Sequence, residues 1–355
     1  MEKRKLKKWD LNSWVDFEVL QQPSWPNISE YNNVIKKLHS YPSIILPNQI
    51  SQLKQRLIQV SDNKAFLIQG GDCAESFKEF SEINIKNKLK ILFQMATIIS
   101  YGASIDTVKI GRIAGQYAKP RSYQYETRED ITLPTYRGDS VNDISFDLNS
   151  RTPNPKRLLE AYNKSTATLN LIQPIIKNEF NKLKHFWNIE MLNHSNIYSR
   201  FEETIQNINK SLKFYNAISN NINLFNEEKF NEFYISHECL LLDYETALTR
   251  QNNNQYYNAS AHMVWLGDRT RNINSAHVEY LSGIENPVGI KCGPNLDMED
   301  LKLILQKINP QNEKGKIVLI CRFGADKIEK YLPKLINMIT INQFEVIWSC
   351  DPMHG

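Results

Sequence analysis

The sequence predicts an α/β fold, a (β/α)₈ barrel with extra helices inserted between its second and third strands. Three observations carry this. Seven short apolar, β-branched runs recur along the 355-residue chain, each ending abruptly in polar residues or glycine. Segments with helical spacing lie between several of them, the alternation that builds βαβ units. Reactive residue types gather at the carboxyl end of nearly every run, the face on which a barrel builds its site from βα loops. A doubly wound sheet would concentrate ligands at one switch point, usually with a glycine-rich turn. Neither G-x-G-x-x-G nor a Walker A sequence is present.

The runs are Ala65–Ile68, Thr107–Ile110, Phe233–Ile235, Met263–Leu266, Val288–Ile290, Ile317–Ile320 and Val346–Trp348. Continuous apolar character without alternation suits strands buried on both faces of a parallel sheet. Lys88–Ile99 reads as a helix with Leu89, Ile91, Leu92, Met95 and Ile98 along one side. Met298–Ile308 repeats the pattern with Leu301, Leu303, Ile304 and Leu305, and Ile328–Ile339 with Leu332, Leu335 and Ile336. About 120 residues separate the second and third runs, far more than one helix needs, and Pro155–Ile176 and Phe201–Ile218 inside that gap look helical. The expected organisation is one barrel domain over 1–355, with 1–60 as an N-terminal extension and 123–231 as an inserted helical region. Only seven strands can be counted before the sequence stops, so the eighth βα unit is expected to be missing.

Composition excludes several classes of function. With 41% apolar and 23% charged residues the chain has ordinary globular character and length enough to bury a core. A net charge of +4 is too small to argue for nucleic acid. No apolar run approaches the roughly 18–20 residues that cross a bilayer. The basic start, Met1-Glu2-Lys3-Arg4-Lys5, is followed by no apolar stretch and is not a secretory signal. Five cysteines, with no Cys-x-x-Cys pair, fit neither a disulfide framework nor a zinc knuckle and point to a reducing cytoplasm. The asparagine surplus, densest at Asn252-Asn253-Asn254, reads as compositional drift on surfaces and loops.

Arg112, Lys119, Arg121, Arg269, Arg271, Lys291 and Arg322 all sit at or just after predicted strand ends. Such a cluster around one barrel mouth suits phosphate or carboxylate, which Arg grips through paired planar hydrogen bonds and Lys as a point charge. The plainer alternative is a solvated rim partnered by Glu75, Glu238 and Glu245. Cys73 and His354 end the first and seventh strands and would face each other across the mouth. Thiolate and imidazole suit Mn²⁺, Fe²⁺, Co²⁺ or Zn²⁺, although an unaided Cys/His pair is more often a small core residue and a loop residue. Cys239, Cys292, Cys321 and Cys350 read as small core residues near strand ends, and His237-Glu238 as polar support. Lys291 could form a Schiff base, but its place among arginines beside Gly293-Pro294 favours anion binding.

Longer motifs carry a resemblance. Gln69-Gly70-Gly71-Asp72-Cys73-Ala74-Glu75, Lys109 to Ser122, Tyr136-Arg137-Gly138-Asp139 and Ser236-His237-Glu238 resemble those of the class II (plant-type) 3-deoxy-D-arabino-heptulosonate 7-phosphate (DAHP) synthases. So do Trp265 to Arg271, Gly289 to Pro294, Trp348 to Gly355 and Gln21-Gln22-Pro23-Ser24-Trp25-Pro26, so that the likeness runs from about Trp9 to the last residue. The resemblance implies a TIM barrel with extra helices. It implies a cytoplasmic transferase that condenses phosphoenolpyruvate with erythrose 4-phosphate, releasing phosphate, in the first step of the shikimate pathway to chorismate and the aromatic amino acids. It also implies a homo-oligomer if a full-length chain exists.

By the same resemblance Arg112, Arg269, Lys291 and Arg322 hold phosphoenolpyruvate, with Arg112 and Lys291 as the catalytic pair. Asp268 belongs to the same phosphoenolpyruvate-binding set and stands where the family usually has Glu, one methylene longer. Lys119-Pro120-Arg121-Ser122 resembles the loop that receives erythrose 4-phosphate. Cys73 and His354 match two ligands of a divalent metal, Mn²⁺ first, with Co²⁺, Fe²⁺ or Zn²⁺ as alternatives. The family's chains continue past His-Gly with the last strand and two acidic ligands. The expectation is therefore an N-terminal portion of a synthase, with a non-catalytic remnant or one half of a split enzyme as the other readings. The purified 355-residue chain is expected to show little or no synthase activity in a metal-supplemented assay; robust metal-dependent turnover would contradict that.

Overall fold

A computed structural model describes residues 8–180, 202–204, 206–208, 210–211 and 231–354. Seven parallel strands curve into one sheet: β1 (Ala65–Gly71), β2 (Asp106–Arg112), β5 (Tyr234–Glu238), β8 (Met263–Leu266), β9 (Val288–Cys292), β10 (Ile317–Cys321) and β11 (Ile347–Cys350). Their order in the sheet is their order in the chain, which is barrel topology, and helices cover the outer face. The register is in step along both flanks: Ala65 lies opposite Asp106 and Gly71 opposite Arg112, while Cys321 pairs with Cys292 on one side and Cys350 on the other. All seven expected runs are strands. Several extend one to three residues further, because their last residues are the polar ones that line the mouth.

The strand interior is packed from below. Helix α1 (Ile28–His39) and helix α2 (Pro47–Ser61) precede β1, and Leu53 and Leu57 of α2 are fully buried against Val108, Ile110, Tyr234, Met263, Trp265, Val318, Ile320 and Ile347. The N-terminal segment is thus the plug of the barrel floor as well as an extension. Arg56, on the same helix, pairs with Asp106 at 2.6 Å and Glu232 at 2.7 Å, tying the plug to the starts of β2 and β5. Gly289 makes room inside: a Cβ there would come within 2.9 Å of Trp265 Cβ and 2.8 Å of Met263 Cε.

Between β1 and β2 lies α3 (Glu82–Ala103), capped by the Ser81 side chain on Asn84 N. Leu89 and Leu92 are buried as expected, but Ile91 and Met95 are exposed. On α8 (Met298–Ile308) Leu303 and on α9 (Ile328–Ile341) Ile336 are likewise outside, so the apolar stripe is narrower than the sequence suggested. The stretch after β2 opens with a hairpin, β3 (Tyr125–Arg128) and β4 (Ile131–Pro134), followed by a short α4 (Leu148–Arg151) and by α5 (Lys156–Ile175). The hairpin carried no sequence signal because its two-residue turn uses Glu129 in a left-handed conformation, φ 52°, rather than Gly or Asn. Most of the helix expected over Phe201–Ile218 lies outside the described residues.

The asparagine cluster has a structural use. After α6 (Leu242–Ala247), the strands β6 (Thr249–Asn252) and β7 (Gln255–Asn258) form a hairpin whose turn residues Asn253 and Asn254 are both left-handed, φ 50° and 62°. Asn tolerates that conformation better than other residues with a Cβ. Helix α7 (Ala276–Leu281) is buried along its length, with Trp9 packed over Gly283 just beyond its end.

Strands β1 and β11 are the two edges of the sheet, and among the described residues nothing pairs with their outer sides. A cleft of about 890 Å³ runs between them. On their outward faces Phe66 and Trp348 are 48% and 42% exposed, and Cys350 is exposed too, correcting its expected place in the core. No described helix is long and apolar enough to cross a membrane. Replacing Leu57 with Ala is expected to cost about 2–5 kcal/mol by emptying the barrel floor; a chemical denaturation midpoint that does not move would contradict the plug.

Candidate active site

Period-two alternation carries the inward-facing residues from core to mouth. Ile110 leads to Arg112 on β2, Ser236 to Glu238 on β5, Gly289 to Lys291 on β9, and Ile320 to Arg322 just beyond β10. Trp265 of β8 is the platform between them. The Arg112 guanidinium lies 4.8 Å from its ring centroid and Lys291 Nζ 5.7 Å, both in cation–π range. Lys291 is 9% exposed. Burial pushes its pKa down, Glu238 works against that, and Arg112 and Arg322 add to it.

Glu238 is the carboxyl of this group. It is buried, its backbone N–H donates to Gln116 Oε1 at 2.8 Å, and its Oε1 has no hydrogen-bond partner. Trp265 Nε1 faces the same carboxyl without closing a hydrogen bond. Burial raises the Glu238 pKa even though Lys291, Arg112 and Arg269 all pull it down. Gly267 is required beside it, since a Cβ there would sit 1.9 Å from Glu238 Oε1.

A second carboxylate fixes the loops. Glu75 accepts from three successive amides, Ala114 N at 3.1 Å, Gly115 N at 2.9 Å and Gln116 N at 2.8 Å, and returns its own N–H to Gln116 O at 2.7 Å. Successive amides turned to one point form an anion nest. Here the nest is made by Ala114 at φ 64°, a strained conformation that the carboxylate holds. The loop after β1, carrying Cys73, is thereby locked to the loop after β2, carrying Lys119 to Ser122. Arg112 adds a bond from Nη2 to Cys73 O at 3.3 Å.

The predicted residues fall into adjoining groups. Arg112, Lys291 and Cys73 line the cleft with Trp265, Asp351 and His354. Asp268 Oδ1 accepts from Arg271 Nη2 at 2.8 Å, so Arg271 serves that carboxylate. Arg269 is exposed and donates to Ser122 Oγ through Nε at 3.2 Å and Nη2 at 2.8 Å, joining the two predicted substrate groups. Lys119 N donates to Arg137 O, and Arg121 N to Gln21 Oε1, both at 2.8 Å; Pro120 lies between them. Glu245 belongs to a different network, with His237 Nε2, Asn258 and Ser260, inside the barrel wall. Of the three carboxylates proposed to neutralise the basic rim, Glu238 alone faces it.

His354 Nδ1 is bonded to Asp351 Oδ2 at 2.7 Å, which leaves Nε2 as its free nitrogen, the way a carboxylate orients a ligating imidazole. Thiol and imidazole lining one cleft fit two donors of a divalent-ion set. Among the described residues no group of three His, Cys, Asp or Glu could hold an ion. Sequence reasoning missed Trp265 and Glu75 as organisers, although Trp265 stands two residues before Gly267 and so shares its inward face.

The chain matches the class-II DAHP synthetase family over residues 9–355. It belongs to that family. It is 43% identical over 348 residues to a phospho-2-dehydro-3-deoxyheptonate aldolase of Streptomyces coelicolor, a match covering 97% of this chain and 77% of the relative. It is 40% identical over 369 residues to the protein of the same name from Neurospora crassa, covering 98% and 76%.

Protonation of Glu238 sets a pH test. Its folded pKa lies above the unfolded value, so across that window the folded chain holds a proton that the unfolded chain releases. Stability therefore falls as pH rises through the window and stays lower above it. Glu238→Gln removes this dependence: the melting temperature of the variant should gain on the parent as pH rises from the ordinary carboxylate range to neutrality. A gap independent of pH would contradict the burial of an ionisable carboxyl there.

Proposed function

We propose that this chain is built to condense phosphoenolpyruvate with erythrose 4-phosphate, giving DAHP and phosphate. The observation that carries the reading is the convergence of Arg112 and Lys291 on the Trp265 ring, in the cleft that Cys73 and His354 also line. Cations held together over one ring, with the pKa of the buried Glu238 carboxyl beside them raised by burial, suit an anion of high charge density between them. Phosphoenolpyruvate supplies a phosphate and a carboxylate.

In this reading Arg112, Arg269, Lys291 and Arg322 bind and orient phosphoenolpyruvate, and Asp268 steadies Arg271 beside them. Lys119, Pro120, Arg121 and Ser122 hold the aldose phosphate, which the Arg269–Ser122 bond brings alongside. C3 of phosphoenolpyruvate attacks the aldehyde carbon; the new C–C bond takes the enol π pair, and the carbonyl pair moves to oxygen. Positive charge developing at C2 is met by water, which loses a proton, and phosphate leaves when the C–O bond of the resulting hemiketal breaks. The basic cluster offsets the charge of two phosphates and a carboxylate brought together, fixed in place before the reaction begins. Glu238, its pKa raised by burial, is the buried carboxyl beside that cluster. Lys291 acts as a binder, and no imine is required.

Cys73 and His354 would hold a divalent ion, Mn²⁺ in the first instance, whose chemistry is to polarise the aldehyde oxygen. We also read 1–355 as one barrel domain, with 1–60 as its plug and extension and 123–231 as the insertion. The seam between β1 and β11 is read as the place of an eighth βα unit, since a closed barrel does not leave Phe66 and Trp348 bare on two open edge strands, with Met95 of α3 exposed beside the same cleft.

Phosphoenolpyruvate is expected to perturb the fluorescence of Trp265 on binding. Arg112→Met should weaken its binding by roughly 10- to 100-fold, the scale of losing hydrogen bonds to a charged group. Unchanged affinity in the variant would contradict the reading.

A further inference from the structure

Resting on the functional reading above, we propose that Arg137 is a further phosphate-binding residue, which grips the phosphate of the four-carbon aldose together with Arg121. Both arginines are held at one residue, Gln21 of the N-terminal segment. Gln21 Oε1 accepts from Arg121 N at 2.8 Å, and Gln21 O accepts from Arg137 Nη1 at 3.3 Å. Gln21 is itself left-handed, φ 62°, and its neighbour Gln22 is tied down by bonds from Nε2 to Leu240 O at 2.7 Å and Leu20 O at 2.9 Å. The backbone of Arg137 is pinned on both sides: its O accepts from Lys119 N at 2.8 Å, and its N donates to Asn142 Oδ1 at 2.8 Å. Next to it Gly138, φ 95°, lies so close to Tyr117 O that a Cβ would be 2.1 Å away. Arg137 is thus pinned, across the β3–β4 hairpin, against the loop that carries Lys119 and Arg121.

The charge arrangement points to an anion. Arg137 is half-buried; burial lowers its pKa and Arg121 lowers it further, so the two guanidiniums repel. Among the described residues no carboxylate forms an ion pair with either. The nearest acid in sequence, Asp139, is committed elsewhere: Oδ1 takes Tyr136 OH at 2.7 Å and Arg157, and Oδ2 takes Phe77 N at 2.6 Å and Ser76 Oγ at 3.2 Å. Two like charges that repel, one guanidinium and the backbone of the other arginine held at Gln21, are offset when a dianion with several acceptor oxygens sits between them. Arg269, reaching Ser122 from the other side, places this receptor beside the phosphoenolpyruvate group.

The test is calorimetric binding of erythrose 4-phosphate and, separately, phosphoenolpyruvate to the full chain with Mn²⁺ present. The parent, Arg137→Met, Arg137→Gln and Arg137→Lys are compared. Arg137→Met and Arg137→Gln should weaken erythrose 4-phosphate by roughly 10- to 100-fold and leave phosphoenolpyruvate within about twofold, which also shows that the variants are folded. Arg137→Lys should recover part of the loss. A phosphate monoester takes its second charge near pH 6. The parent should therefore gain affinity for erythrose 4-phosphate between pH 5.5 and 8, and Arg137→Met should lose most of that gain. Erythrose 4-phosphate affinity unchanged in Arg137→Met, or lowered equally at both pH values, would overturn the proposal. A parent that binds phosphoenolpyruvate but not erythrose 4-phosphate would overturn it as well. A parent that binds neither would overturn the functional reading and this inference with it.

Discussion

Like charges held together against one indole ring at the wall of the cleft are the constraint on which this site depends. Arg112 and Lys291 share the face of Trp265, Arg322 adds to the positive field, and Glu238 keeps a buried carboxyl among them. Such an arrangement is tolerable for two reasons. The indole ring attracts cations through its negative face, and each cation rides on a strand whose inward positions below it are packed. The field is strongest around the buried Lys291 and Glu238, where a highly charged substrate gains most from a fixed receptor.

Two devices keep that field in place. From below, α2 fills the barrel with Leu53 and Leu57 and secures itself through Arg56, so strand ends cannot drift without disturbing the floor. From above, Glu75 gathers the amides of Ala114, Gly115 and Gln116. One carboxylate thereby sets the relation between Cys73, Arg112 and the loop Lys119 to Ser122. Gln21 then clasps that loop from the N-terminal segment. Residues far apart in sequence act on one mouth because hydrogen bonds to backbone, from Glu75, Gln21 and Arg112, tie their loops together.

Much of this was legible in the sequence. Parallel strands buried on both faces write themselves as short apolar runs, and all seven were found. Their ends ran short because mouth residues such as Gln69, Arg112 and Glu238 are polar for chemical reasons. The Glu129 turn of the β3–β4 hairpin was invisible, since a left-handed glutamate has no sequence signature, whereas Asn253-Asn254 was readable as a hairpin turn and was passed over as composition. Ile91 and Met95 were assigned to the core by spacing alone; spacing gives a face, and what covers that face is decided by the rest of the fold. The basic residues of the site were found because charge at a strand end is unusual. Trp265 as platform and Glu75 as clamp were not, because indole and carboxylate earn those roles only through neighbours that the chain brings up from elsewhere.

The most direct measurement is a crystal structure of the chain with phosphoenolpyruvate and Mn²⁺. The account predicts the phosphate and carboxylate of phosphoenolpyruvate bonded to Arg112, Lys291 and Arg322 over the Trp265 ring, with the ion at Cys73 and His354. Phosphoenolpyruvate bound away from Trp265, or an ion held by other residues, would contradict it.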